Sequence, residues 1–311
     1  VECGNLLARG MLTLRDAHSW RSKAPVIRRA TPQWFVSMSS GGLRDKATAQ
    51  IEKTKFWPDR GRNRIGTMVA DRPDWLISRQ RNWGVPITLI VGPNGELHTE
   101  HDDADAINAR ILAAVEKVGV DGWFETPLAD FMPDNNEGWS KVTDILDVWF
   151  DSGSMPFAQV HYPFDNREWF DSHNPADFIV EYIGQTRGWF YTMHVLATAL
   201  FDRPAFSQVI SHGIVLGSDG QKMSKSLGNS IYASEWLENA RPIVIRYALT
   251  TAHYRSDIDV HEGFLQEAEA AFSRIEGFLS RTAALESAKA DLPDTFAIAM
   301  DSDLGIPEAL A

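Results

Sequence analysis

Residues 207–216 (SQVISHGIVL) are mostly apolar and run straight into Gly217-Ser218-Asp219-Gly220-Gln221-Lys222-Met223-Ser224-Lys225-Ser226-Leu227-Gly228-Asn229. No other stretch limits the fold as narrowly. A short apolar run bounded by turn residues reads as a buried strand. The loop behind it presents Lys222 and Lys225 three residues apart, the hydroxyls of Ser224 and Ser226, and glycines at both ends. Lysine ammonium groups act as mobile point charges, and glycines let backbone N–H groups approach an anion. A triphosphate suits that set. Positive charge aimed at a departing pyrophosphate acts mainly in the transition state. The order GxxxxGK[ST] is absent, so this is not a P-loop.

Around that strand the chain changes character. Residues 1–42 read as short strands and turns, with 30–36 extended because of Pro32. Residues 43–54 read as a helix, and 57–75, with two prolines and two glycines, as loop. Residues 86–100 read as a hairpin turning at Pro93-Asn94-Gly95. An amphipathic helix is predicted over 104–118, and a loop-like aromatic stretch over 119–142. Residues 143–185 read as irregular, with a buried strand at Phe178-Ile179-Val180. An apolar helix is predicted over 186–201. Beyond the loop, 234–252 and 262–288 read as helices, the second with a stripe of Phe264, Ala268, Phe272, Ile275 and Leu279. The order is mixed structure, an α/β core, and a helical end.

Charge follows the same divisions. The chain carries a net charge of -12, which excludes a uniformly basic nucleic-acid binder. Residues 1–100 are nevertheless net +7 and 185–232 net +2, while 101–184 are net -13 and 233–311 net -8. Two readings of residues 15–81 stand side by side. One is solvated faces of both signs. The other is a polyanion patch of Arg21, Lys23, Arg28, Arg29, Lys53, Lys55, Arg60, Arg62, Arg64, Arg79 and Arg81, interleaved with Trp20, Trp34, Phe35, Phe56, Trp57, Trp75 and, just beyond, Trp83. Length, at 311 residues, suits about two domains. The single cysteine, Cys3, excludes an intrachain disulfide framework and a Cys-rich metal site, and fits a cytoplasmic chain. No stretch approaches the roughly 18 apolar residues of a membrane span. The start, Val1-Glu2-Cys3-Gly4, has neither the basic flank nor the apolar run of a signal peptide, and lacks Met.

The string Lys222-Met223-Ser224-Lys225-Ser226 resembles the KMSKS signature of class I aminoacyl-tRNA synthetases. His212-Gly213 resembles the family's adenine-side strand end. Residues 29–35 (RATPQWF), 63–66 (NRIG), 72–86 (RPDWLISRQRNWGVP), 147–154 (DVWFDSGS) and 181–190 (EYIGQTRGWF) resemble the isoleucyl type, over roughly residues 15–229. The resemblance implies an α/β fold, the second half of a Rossmann-type catalytic domain, followed by an α-helical bundle segment. It implies ATP-dependent activation of isoleucine and transfer to tRNA, with Mg2+ accompanying ATP, in a cytoplasmic protein expected to be monomeric. Lys222 and Lys225 match the catalytic positions, and Ser224, Ser226, His212 and Gly213 join them in binding ATP. Glu181, Gln185, Trp149 and Trp189 fall where the aminoacyl-adenylate is held; a carboxylate and an amide can bond ribose hydroxyls or an ammonium group. For the tryptophans the core is the alternative reading, and Asp151 either lines the site or caps a turn. Arg79, Gln80, Arg81 and Trp83 either lie near the tRNA acceptor end or brace the core.

Three departures qualify the resemblance. No HxGH motif, the family's other phosphate-handling element, occurs in the 311 residues. The expectation is therefore that 1–70 end a connective and editing insertion, 71–232 are a partial catalytic domain, and 233–311 part of a helical anticodon-side domain. Half of an open parallel sheet would expose an edge. Second, Ser19 and Ser22 stand where many relatives carry a Cys-x-x-Cys pair, so no zinc is predicted. Third, from Ser230 onward the resemblance shifts to the cysteinyl type, through 241–247, 252–256, 274–279 and 299–307. Two other functions remain: a non-catalytic tRNA-binding module, or a cysteine-specific ligase.

Overall fold

The computed structural model describes residues 10–13, 15–19, 22–134, 136–225, 227–285 and 291–310. Cys3, Trp20, Arg21 and Ser226 lie outside the described residues. The chain divides into two compact units, Val1–Trp34 and Phe35–Ala311. In the first, His18 bridges Pro25 in antiparallel fashion. The turn between them closes through Ser19 N–H to Ala24 O (2.8 Å) and Lys23 N–H to Ser19 O (2.8 Å). Ser22 N–H donates to Ser19 Oγ at 3.3 Å.

In the second unit, helix α1 (Leu43–Glu52), read in the sequence from its good helix formers, buries Leu43, Ala47 and Ile51 on one face. Strand β1 (Lys55–Trp57) follows. Residues 57–75 are not loop. They contain helix α2 (Arg60–Asp71), whose stripe Gly61, Ile65 and Val69 is buried. Both prolines, Pro58 and Pro73, lie outside it, where they bracket the helix instead of breaking it. Gly61 is a packing glycine: a Cβ there would come 3.2 Å from Phe56 Cδ1. Two arginines close the helix ends. Arg44 Nη1 donates to the carbonyls of Val69 (2.6 Å), Ala70 (2.9 Å) and Arg72 (2.8 Å). Arg62 Nη1 donates to the Ile51 carbonyl at 3.2 Å. Unsatisfied C-terminal carbonyls are where a cation is most useful to a helix.

Helix α3 (Ala104–Val118) matches its predicted span. It packs Ile107 and Ile111 against Ile90, Trp123, Phe131 and Met132 in a second apolar cluster. The stretch 119–142 is more ordered than its composition suggests, with short helices at Asp121–Glu125 and Leu128–Phe131. Trp123 stacks on Phe131 at 5.5 Å. Lys141 Nζ donates to the carbonyls of Trp123 (2.8 Å) and Thr126 (2.6 Å), and burial lowers its pKa. The hairpin turn forms, with Gly92 N–H on Glu96 O at 2.8 Å. The main ladder of Ile90–Val91, however, runs to Ser140–Lys141.

Residues 143–185 hold three short helices, α4 (Val148–Gly153) and those at Met155–Ala158 and Arg167–His173, where irregular structure was expected. Then come strand β2 (Ile179–Tyr182), helix α5 (Trp189–Phe201) and strand β3 (Gln208–His212). The three strands form a parallel sheet in the order β1-β3-β2. Phe56, Ile179 and Val209 turn into the main core with Ile51, Ile65, Phe190 and Tyr191. β2 is not buried throughout. Among the described residues no strand pairs with its outer side, and Phe178 and Val180 are 57% and 49% exposed. In α5, residues 190–198 are all buried. They include His194, whose Nε2 bonds the Ala47 carbonyl at 2.8 Å and whose Nδ1 has no partner. Burial pushes the pKa of His194 down.

The apolar run 207–216 is two strands, β3 and β4 (Val215–Leu216), split at Gly213. Gly213 N–H donates to Tyr254 O at 2.9 Å, and any Cβ at 213 would collide with the Ser256 carbonyl. The predicted helix over 234–252 breaks at Pro242 into Ala233–Asn239 and α6 (Pro242–Thr250). Strand β5 (Ile258–Asp259) pairs with β4 in parallel. On α7 (Phe264–Thr282), Phe264, Ala268 and Phe272 pack against Val244 and Ala248. Ile275 and Leu279 of the same stripe stay exposed. Arg241 bridges Glu269 (2.6 Å) and Glu276 (2.9 Å). Helix α8 (Asp294–Asp301) leads to Asp303, which accepts from the Tyr254 hydroxyl at 2.6 Å and pairs with Arg255 at 2.9 Å.

Candidate active site

The C-terminal ends of β2 and β3 lie side by side, with Glu181 in register with Ser211 and Tyr182 with His212. In open α/β sheets ligands bind beyond these ends. Glu181 Oε2 accepts the Tyr182 N–H at 2.8 Å and lies 3.9 Å from His212 Nε2. His212 Nδ1 is 2.6 Å from the Gly213 carbonyl. A carbonyl only accepts, so Nδ1 carries the proton, and Nε2 faces the carboxylate. Register thus joins three residues singled out in the sequence, Glu181, His212 and Gly213.

The signature loop folds back over the same edge. Lys222 bridges Leu216 of β4 in antiparallel fashion. Its ammonium nitrogen lies 3.9 Å from the centroid of the Tyr182 ring. Lys222 and Lys225 are both exposed. The loop is fastened at its far end by Asn229. Asn229 Oδ1 accepts the Ser224 N–H at 2.8 Å, and Nδ2 donates to Lys222 O (3.3 Å) and to Asp219 Oδ2 (3.2 Å). Asp219 Oδ1 also accepts the Gln221 N–H at 3.0 Å. Gly220 (φ +68°) and Gly228 (φ +71°) take the left-handed turns this path needs. Neither Asn229 nor Asp219 stood out in the sequence. Their partners are set by loop closure, and the one signal was the position of Asn229 immediately after Gly228.

Trp149, Gln185 and Trp189 form a second corner. Gln185 Oε1 accepts the Trp189 N–H at 3.0 Å, at the start of α5. Gly188 lies beneath both partners: a Cβ there would come 2.6 Å from Gln185 Oε1 and 3.1 Å from the Trp149 ring. Trp189 Nε1 donates to Ser152 O at 3.0 Å. Trp149 is 43% exposed, which removes the core reading for that ring. Asp151 sits in the first turn of α4, whose N-cap position is Asp147. Its pKa is raised by burial and by the charge of Asp147.

The group 79–83 divides. Arg79 Nη1 donates to the carbonyls of Leu76 (3.0 Å) and Ser78 (2.8 Å), and Nη2 lies 3.3 Å from the buried Asp147 carboxylate. Gln80 Nε2 donates to Asp144 Oδ2 at 3.0 Å. Both side chains are tied to neighbouring structure by these contacts. Arg81 is exposed and Trp83 is 90% exposed. Of the basic residues between 15 and 81, Arg44, Arg60, Arg62 and Arg79 are directed at backbone carbonyls.

The family model described as tRNA synthetases class I (I, L, M and V) matches residues 13–261. That match continues past residue 229, the point at which the sequence suggests a shift to the cysteinyl type. An isoleucine–tRNA ligase from Caulobacter vibrioides is 41% identical over 284 residues, covering 88% of this chain and 28% of the relative. One from Corynebacterium efficiens is 45% identical over 244 residues, covering 76% and 22%. The chain therefore spans under a third of the length of these curated relatives. Among solved structures, a Mycobacterium tuberculosis methionyl-tRNA synthetase in complex with methionyl-adenylate aligns with a TM-score of 0.57 at 19% identity, covering 94% of this chain and 52% of that one. The LeuRS-tRNA-LeuAMS ternary complex from Agrobacterium radiobacter K84 aligns at 0.53 and 19%, covering 76% and 34%. At that identity the likeness is one of fold.

Proposed function

The chain belongs to the class I tRNA synthetases, and from that premise we propose that it serves isoleucine–tRNA ligation. The observation carrying this reading is the convergence of Glu181, His212, Gly213 and Lys222 at one edge of the parallel sheet. The identities of 39–46% to isoleucine–tRNA ligases support the choice of amino acid.

In the proposed reaction a carboxylate oxygen of isoleucine attacks the α-phosphorus of ATP. The bond to the β-phosphate oxygen breaks, and pyrophosphate leaves with that electron pair. A terminal ribose hydroxyl of tRNA then displaces AMP from the isoleucyl carbonyl. Lys222 and Lys225 neutralise charge growing on the pyrophosphate, which is worth most in the transition state. Mg2+ enters with the ATP phosphates. Ser224 contributes a loop N–H already ordered by Asn229, and Ser226 completes the ATP set. Glu181 and the Gln185 amide receive hydroxyl or ammonium donors, with Trp149 and Trp189 flanking the adenylate. Arg81 and Trp83 meet the tRNA acceptor end, with Arg79 and Gln80 behind them as braces. Residues 1–70 take the role of an insertion returning to the core, which their α1, β1 and α2 already join, 71–232 that of catalytic core and 233–311 that of anticodon-side helices, in a cytoplasmic protein.

Isothermal calorimetry with ATP, and amino-acid-dependent ATP–pyrophosphate exchange with isoleucine, valine and cysteine, test the proposal. ATP affinity should fall at least about tenfold in Lys222→Ala and in Lys225→Ala, the loss of one charge-assisted contact. Any exchange should respond to isoleucine. Exchange with cysteine alone would reverse the specificity. A second reading, tRNA binding without catalysis, draws on exposed Arg81 and Trp83. It predicts tRNA retention with no ATP binding.

A further inference from the structure

Lys222 is held in place before any ligand arrives. Its ammonium lies over the ring of Tyr182, the last residue of β2, at 3.9 Å. A cation within about 6 Å of an aromatic face is attracted by the ring quadrupole. Ring and lysine are each located by other means. The ring occupies space left by Gly184, since a Cβ at 184 would collide with Tyr182 Cε2. The Lys222 backbone is fixed by its bridge to Leu216 and by Asn229 Nδ2 on its carbonyl. Lys222 nevertheless remains exposed, so the ring covers one side of the ammonium and leaves the other open. A lysine stem has four flexible carbons, and an anion that captures a wandering ammonium must first restrict them.

We propose that Tyr182 is a positioning residue for Lys222. Its ring, given room by Gly184, keeps the ammonium at the crevice edge, so that a polyphosphate meets a lysine already in place. The ring stays on one side of the ammonium while phosphate oxygens take the open side. This rests on the reading of Lys222 as a phosphate-binding residue.

Amine acylation of the ligand-free 311-residue chain, read lysine by lysine by mass spectrometry, tests the pairing with Lys225 as internal standard. Tyr182→Leu keeps bulk and removes the π face. Lys222 should then label about two- to fivefold faster relative to Lys225, and Tyr182→Phe should restore the original rate. Calorimetric ATP affinity should drop by a similar two- to fivefold in Tyr182→Leu, roughly the strength of an exposed cation–π contact, and recover in Tyr182→Phe. In a Lys222→Ala background Tyr182→Leu should have no effect on ATP. Equal Lys222 labelling in the wild type and the leucine variant overturns the proposal. So does an ATP effect that persists undiminished without Lys222, which would give Tyr182 its own ligand contact. Unchanged ATP affinity in Lys222→Ala, with the labelling difference intact, removes the phosphate reading and leaves the ring–lysine pair standing.

Discussion

Asn229 ties three parts of the signature loop together through one side chain. It joins the Ser224 N–H, the Lys222 carbonyl and the Asp219 carboxylate, so the loop arrives with its amides and lysines ordered. Asn229→Ala removes these bonds from a partly solvated site, where each nets about 1 kcal/mol. ATP affinity should fall roughly tenfold and amide exchange across 219–229 should speed up, with the melting temperature falling by only a few degrees. Protection that survives the substitution would show that Asn229 is not the fastening. His194 acts at the same scale on stability. Its pKa is lowered by burial, so the unfolded chain binds the proton more readily. The stability tied to its neutral form is complete above the ordinary value near 6.5 and is lost as pH falls below it. His194→Gln keeps a donor for the Ala47 carbonyl and cannot titrate. Its melting temperature should fall less between pH 7 and pH 5 than that of the wild type, as differential scanning calorimetry at both pH values would record.

Helix α2 is the element whose stability depends most visibly on a distant side chain. The Arg44 guanidinium reaches three carbonyls at its C-terminal end. Arg44→Met should cost about 2 kcal/mol, in line with charge-assisted bonds to half-buried acceptors. For a unit of this size that is a drop of roughly 4–8 °C in melting temperature. A shift under a degree would mean water replaces the guanidinium at no loss. The same helix marks where sequence reading gives out. α1, α3 and α5 are legible from local signals: good helix formers in α1, amphipathic spacing in α3 and a continuous apolar run in α5. α2 carries Gly61 and Gly66 and is flanked by Pro58 and Pro73, which together read as a loop. What makes it a helix is the packing of Gly61 on Phe56 and the carbonyl cap from Arg44, both set by tertiary structure. The site divides likewise. Lys222, Glu181, Gln185 and His212 lie in strings whose residue order is itself distinctive. Tyr182, Asp219 and Asn229 matter through partners that only the folded chain supplies. Arg79, open to two readings in the sequence, has three acceptors within 3.3 Å.

At the scale of the whole molecule, the sheet is unevenly covered. A parallel sheet is ordinarily buried on both faces and closed at its edges by further structure. Here β3 is central, β1 and β2 flank it, and the core-facing side is packed by α1, α2 and α5. The outer side of β2 has no strand partner among the described residues, and Phe178 and Val180 beside it are exposed. The negative net charge of the chain, -13 over the 101–184 segment that holds β2, opposes self-association but leaves this edge unpaired. Unpaired N–H and C=O groups next to apolar side chains form a template for another strand. The resemblance to class I synthetases implies a monomer, whereas this edge favours association of the 311-residue chain with itself. Sedimentation velocity across a concentration series should show growing assemblies. Val180→Lys places a charge on the exposed position without touching the buried side of β2, where Ile179 lies. It should move the onset of association to about tenfold higher concentration, equivalent to about 1.4 kcal/mol, and leave the melting temperature of dilute protein unchanged. If Val180→Lys associates as readily as the wild type, the contact lies elsewhere, with exposed Ile275, Phe278 and Leu279 of α7 the next surface to charge.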